Sequence, residues 1–125
     1  MAYLNRESDS FFEDNAEYKN DKGNHECAYF VQQVSGAPKT SFWKKGFKVI
    51  GPGEIAKGTA IATFEGESYK GHAAIFISKD DEGIWVWDQW NRQGKVKKRR
   101  IRKKSKYKDD HDKLVNNPDN YYIIN

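Results

Sequence analysis

Apolar positions are sparse at the start of the chain. Tyr3, Leu4, Phe11 and Phe12 are isolated anchors in a polar stretch of 22 residues, which reads as a loose arm with a short helix from about Asp9 to Tyr18. The first sustained pattern is helical. Cys27, Phe30, Val31 and Val34 recur at helical spacing and share one face. Asn24 is placed to cap a helix running from about His25 to Ser35, and Gly36 with Pro38 marks its end. A helical turn closed by glycine is expected over Thr40 to Gly46, and a turn at Gly51-Pro52-Gly53.

The period then changes. Strands are expected over Thr59 to Phe64, His72 to Ser78, Ile84 to Trp90 and Lys95 to Arg102. Turns at residues 79–83 and 91–94 separate the last three. After a polar loop from Lys103 to Asn120, Tyr121 to Ile124 can close the sheet. A helix followed by antiparallel strands argues for an α+β fold, with the cysteine-bearing helix packed on the sheet. At 125 residues the chain is read as a single domain, with residues 1–22 as an arm and 23–125 as the core.

Composition narrows the function. One cysteine excludes an internal disulfide framework and a multi-cysteine zinc site. Arg6, Asp9, Glu13 and Asp14 interrupt any leader-like apolar run, and no apolar stretch approaches the length of a membrane span. Synthesis as a soluble cytoplasmic product without a signal peptide is therefore expected. The net charge of +4 is uneven: residues 95–108 hold ten of the 22 basic residues and no acidic one. A basic run of this kind draws anionic partners. A nucleic-acid- or anionic-polymer-binding module without catalysis is thus the rival reading, although a solvated strand face explains the run as well.

Candidate chemistry starts at Cys27. A thiol in the first turn of a helix meets unpaired N–H groups and the positive end of the dipole, which favour the thiolate. It needs a base, and the base needs an orienter. His25 is too close along the helix to face it, and His111 lies in a polar segment. His72 opens a strand after Gly71, which permits close approach of another group. The orienter depends on hairpin register. A three-residue loop after Ser78 sets His72 opposite Asp88, and a five-residue loop sets it opposite Trp90 with Asp88 diagonal. A four-residue loop sets it opposite Gln89. Asp88 is preferred, because a carboxylate also stabilises the imidazolium. Its face would carry Ile84 and Val86, the His72 face Ala74 and Phe76, and the Cys27 helix is expected to pack there. No zinc-like ligand spacing is present, so neither metal nor cofactor is expected.

Gly23 to Cys27 at a helix start, Gly71-His72-Ala73-Ala74-Ile75-Phe76 on a strand and Val86-Trp87-Asp88-Gln89-Trp90 on the next together resemble the papain-like peptidoglycan amidases. These are the CHAP group and the related NlpC-type endopeptidases. The resemblance runs from about Gly23 to Arg102. It implies Cys27 as nucleophile, His72 as general base and Asp88 as orienter, with Gln89 and Glu26 in support. Asp88 stands where the CHAP pattern usually has glutamate or asparagine. Glu26 stands where many relatives have glutamine; a charge beside a thiolate opposes it, so Glu26 either points elsewhere or leaves the thiol less activated. Thr59 stands where many relatives have aspartate. The implied activity is hydrolysis of a cell-wall peptide amide through a thioester. The small bare domain resembles type VI secretion amidase effectors, antibacterial toxins acting in the periplasm or cell wall of a target bacterium. Such a toxin implies a cognate immunity protein as partner. The bond cleaved stays open, as does the choice between type VI export and phage-type release.

Overall fold

The computed structural model describes residues 2–103 and 114–125. His111 and the end of the basic run lie outside them. Helices α1 (Asp9–Glu13) and α2 (Cys27–Ser35) precede six strands: β1 (Lys45–Lys48), β2 (Ala60–Glu65), β3 (Ser68–Asp80), β4 (Gly83–Asp88), β5 (Lys97–Arg102) and β6 (Tyr121–Ile124). Among the described residues they form one antiparallel sheet in the order β1-β6-β2-β3-β4-β5. The α+β expectation holds. The turn expected around Gly46 is instead a 3-10 turn at Thr40–Phe42 followed by β1.

Two apolar layers flank the sheet. Phe30, Val31 and Val34 of α2 pack with Ala60, Ala62, Ala73, Ile75 and Trp87. Ala74, Phe76, Ile84, Val86 and Ile101 belong to a second cluster with Val49 and Tyr121. The helix therefore covers the face opposite to the one expected. The second face is closed by the loop after β1, where Lys79 Nζ donates to the carbonyls of Val49, Gly51 and Gly53 at 3.0, 2.9 and 2.5 Å.

The first 22 residues carry more packing than a loose arm would. Ser8 caps α1 by accepting from Phe11 N–H, and α1 stops at Glu13, short of Tyr18. Phe12 is 1% exposed, with ring centroids 5.5 Å from Phe30 and 5.3 Å from Trp87. Asn5 N–H donates to Gly58 and Arg6 N–H to Val34, so the segment is stitched to both sheet and helix.

Strand β3 is irregular twice, and both irregularities concern His72. Its turn to β4 is only Asp81-Glu82, because β3 runs on to Asp80. Continued regularly, that register would set Asp88 opposite Ile75, on the face His72 does not share. One extra residue, Ile77, shifts the pairing to Phe76↔Val86 and Ile75↔Trp87. Continued from there, Asp88 falls opposite Ala74 and diagonal to His72. Further along, Ala62 pairs with Ala73 but Phe64 pairs with Tyr69, so Lys70, Gly71 and His72 together face Thr63. The Thr63 hydroxyl fills this bulge, donating to Lys70 O and accepting from His72 N–H at 3.0 Å. Gly71 has φ +107°, and a Cβ there would stand 2.5 Å from Thr63 Oγ1. The glycine is what allows the close approach.

The packing of the first segment is tested by truncation. Phe12→Ala is expected to cost about 3–5 kcal/mol, and Phe11→Ala, at a half-exposed ring, about 0.5 kcal/mol or less. Urea midpoints at constant slope would read both; equal small losses would show the segment to be dispensable.

Candidate active site

Helix α2 starts two residues later than its pattern suggested. Asn24 does not cap it: its N–H donates to Asn20 Oδ1 in the preceding turn. Glu26 occupies the cap position without a side-chain cap bond, so Cys27 is the first helical residue. The end is as expected, with Gly36 at φ +74° and its N–H donating to Gln32 O.

The structure brings Cys27, His72 and Asp88 together. The register makes His72 a diagonal neighbour of Asp88 on the sheet face that Ala74 and Phe76 share. The His72 ring meets Asp88, with Nε2 2.8 Å from Oδ2. Asp88 has no exposed surface. An ionised carboxylate only accepts, so Nε2 carries the proton and Nδ1 is left for Cys27. The imidazole also stands edge-on to Trp90, with centroids 6.1 Å apart. Cys27 Sγ lies 3.5 Å from the Tyr69 hydroxyl, and the Tyr69 ring is packed edge-on against Trp43.

The electrostatics follow from these contacts. Burial alone would raise the thiol pKa of Cys27; the hydrogen bond and charge of His72, with help from Tyr69 and the Ala73 backbone, outweigh it and bring it below the ordinary thiol range. Burial likewise opposes charge on His72, but Asp88 and Cys27 raise its pKa to about 9. Asp88 is held below the usual carboxylate range because His72 and Arg99 overcome its burial. Tyr69 is pushed well above an ordinary phenol by burial and by Cys27, so its hydroxyl stays a donor. The arrangement favours a thiolate–imidazolium pair.

Three residues at the site were not singled out from sequence. Arg99 clamps Asp88, with Nη2 at 2.7 Å and Nε at 2.9 Å from Oδ2, and its guanidinium lies 4.7 Å from the Trp90 ring centre. The turn at 91–94 already implied the pairing Asp88↔Lys97 and Val86↔Arg99 that is found, which makes Arg99 diagonal to Asp88. Trp90 was set against His72 only by the five-residue register, and Tyr69 carried no such signal. Gln89, expected in support, is buried, and its hydrogen bonds go elsewhere than to the imidazole. Its amide donates to Tyr18 O at 2.7 Å and Glu26 O at 3.2 Å, and its Oε1 accepts from Tyr18 N–H. It ties the first segment to the start of α2. The Glu26 side chain is exposed and is not among the groups that shift Cys27.

Cys27, Glu26, Tyr69, Trp90, Asn91 and Thr40 line a cleft of about 330 Å³. Hollows of 340 and 390 Å³ lie elsewhere, so the thiol and its neighbours distinguish this one, not its size. Among the described residues no three His, Cys, Asp or Glu side chains are grouped to hold a metal ion, and no helix is long and apolar enough to cross a membrane.

Residues 7–124 match the family described as domesticated amidase effector 2. The chain belongs to that family. It is 35% identical over 112 residues to a type VI secretion amidase effector 2 protein of Salmonella typhi, covering 80% of this chain and 84% of that protein. It is 42% identical over 105 residues to domesticated amidase effector 2 of Ixodes scapularis, covering 79% of this chain and 70% of that one. A solved structure of a type 6 secretion amidase effector 2 superposes with a TM-score of 0.76 at 30% identity, covering 98% of this chain and 93% of the other. The resemblance drawn from the residues and the papain-like fold are both borne out.

The lowered thiol pKa can be read directly. The rate of Cys27 alkylation by iodoacetamide should titrate below the ordinary thiol range, and Tyr69→Phe should move the midpoint upward by removing a donor to Sγ. An unchanged midpoint in that variant would mean the 3.5 Å contact does not act on the thiol.

Proposed function

We propose that Cys27, His72 and Asp88 hydrolyse an amide of bacterial cell-wall peptide through a thioester. That the chain is a peptidoglycan amidase of the antibacterial effector type follows from its family; the roles of its residues are our reading. The observation that carries them is the buried His72–Asp88 pair set against a thiol at a helix start.

The Cys27 thiolate attacks the substrate carbonyl carbon, and the negative charge moves to the carbonyl oxygen. The backbone N–H of Cys27, free at the first position of α2, is positioned as one donor to that oxyanion. Protonated His72 gives its Nδ1 proton to the leaving amine, the C–N bond breaks and the thioester remains. Neutral His72 then takes a proton from water, the hydroxide attacks the thioester, and the acid is released with the thiolate restored. Asp88 fixes the ring and stabilises the imidazolium in both halves. Arg99 keeps Asp88 ionised at full burial.

The finer biology is also proposed. The chain acts on the wall of a target bacterium after export, by type VI injection or a phage-type release, and a cognate immunity protein blocks the Cys27 cleft. The family contains both a Salmonella typhi and an Ixodes scapularis chain, so the delivery route is separable from the domain. The nucleic-acid reading loses support from the pairing of the basic run: Arg99 is spent on Asp88, and Arg100 on Asp80 and Glu82.

Three outcomes test this reading. Cys27→Ala should abolish the release of new peptide fragments from purified peptidoglycan, scored by mass spectrometry, while its circular dichroism stays native; full activity would refute the nucleophile. His72→Ala should lower kcat by about 10²–10⁴-fold. In wild type, kcat/KM should rise as pH climbs through the lowered Cys27 pKa and fall as it passes about 9, where His72 loses the proton it must donate. These midpoints belong to the pair jointly. A profile still rising above that pH would exclude His72 as the acid.

A further inference from the structure

We propose that the Tyr69 hydroxyl is a catalytic group, the second donor to the oxyanion that forms when Cys27 attacks. The inference rests on the amidase reading and adds a donor to the one that the Cys27 backbone N–H supplies.

Tyr69 pairs with Phe64 of β2 and packs on the sheet face that α2 covers. His72 belongs to the other face of β3. The thiol at the start of α2 is therefore met by a phenol and an imidazole from opposite faces of one strand. Trp43 is 3% exposed and backs the phenol ring edge-on, with centroids 4.7 Å apart. Its own indole N–H is tied to Pro38 O at 2.7 Å, so the ring rests on a fixed wall. Tyr69 lines the same cleft as Cys27 and Thr40.

Packing accounts for the ring but not for the hydroxyl, because phenylalanine would fill the same place against Trp43. The hydroxyl lies 3.5 Å from Cys27 Sγ and 3.5 Å from Gly71 O. The second distance is longer than an ordinary bond between two oxygens, so no close oxygen acceptor holds the proton. Burial and the neighbouring thiol keep the phenol protonated. A partly dehydrated donor with no short bond of its own suits a charge that appears only during reaction.

The oxyanion is that charge. It sits two bonds from Sγ, so a donor 3.5 Å from the sulfur can close to the ~2.7–3.1 Å that such a contact needs. In the resting enzyme the hydroxyl faces the thiolate. As the S–C bond forms, negative charge passes from sulfur to the carbonyl oxygen and the donor follows it. The proton stays on Tyr69 throughout, and the electron pair of the oxyanion re-forms the carbonyl as the C–N bond breaks.

Tyr69→Phe keeps the ring and removes the donor. Its kcat on purified cell-wall peptide fragments, with each enzyme at its own pH optimum, should fall by about 10²–10³-fold with KM little changed. Alkylation of Cys27 by iodoacetamide, at a pH above the thiol midpoints of both enzymes, should run at the wild-type rate, because it displaces iodide and forms no oxyanion. Circular dichroism should stay native. An unchanged kcat would overturn the proposal. A fall in kcat matched by an equal fall in alkylation would overturn it too, leaving Tyr69 as an aid to the thiol alone. Loss of the native spectrum would make the hydroxyl structural and overturn it as well. In each of these cases the amidase reading stands; only a wild type that cuts none of the fragments would overturn both.

Discussion

The carboxylate of Asp88 has no contact with solvent, and the site is built around that fact. An isolated charge at such depth would be too costly to keep. Here two cations answer it from opposite sides, His72 from β3 and Arg99 from β5. Remove either and the other must hold a buried anion alone. The three neighbouring strands are thus fixed to one another by a charge balance as well as by the backbone ladder. The same balance keeps the imidazole protonated, and the imidazolium in turn draws the thiol of α2 toward its ionised form. Burial opposes ionisation at all three groups, and their contacts with one another, with Arg99 and with Tyr69 outweigh it.

Positioning Cys27 is a separate problem, because its helix packs on the other core from the one that takes Ala74 and Phe76. The solution lies at the helix start. The buried amide of Gln89 bonds to Tyr18 and Glu26, and Phe12 and Tyr18 both pack against Phe30. The polar first segment therefore acts as a brace for the thiol. Gln89 directly follows Asp88, so one strand end serves both the anion and the support of the thiol.

Much of this was legible in the residues. Helical spacing, glycine punctuation and strand alternation located α2, β3, β4 and β6, and the advantage of a carboxylate over an amide beside an imidazolium pointed to Asp88. The chemistry of a thiol, an imidazole and a carboxylate at a helix start and two strand ends carried the family resemblance. What escaped is what period alone cannot encode. The Asn24 cap failed because α2 begins only at Cys27, which puts Glu26 rather than Asn24 at the cap position. The helix was assigned to the wrong sheet face because the thiol reaches His72 from the first residue of the helix, while Phe30, Val31 and Val34 pack on the opposite core. The isolated phenylalanines looked like anchors of an arm because nothing local shows that Phe12 enters the core. Arg99 was hidden inside a basic run that read as one solvated surface, although the hairpin turn before it had set its register.

The extra residue at Ile77 has a consequence for how such a chain can change over generations. Substitutions along the β3–β4 hairpin alter side chains one at a time, and most positions have alternatives of similar size and polarity. Loss or gain of a single codon between His72 and Asp88 is a different kind of event. It exchanges the two faces of one strand relative to the other, and with them the partners of a buried charge. The hairpin is free to drift in spelling but not in length, and descendants of this domain should keep that count long after its letters have diverged.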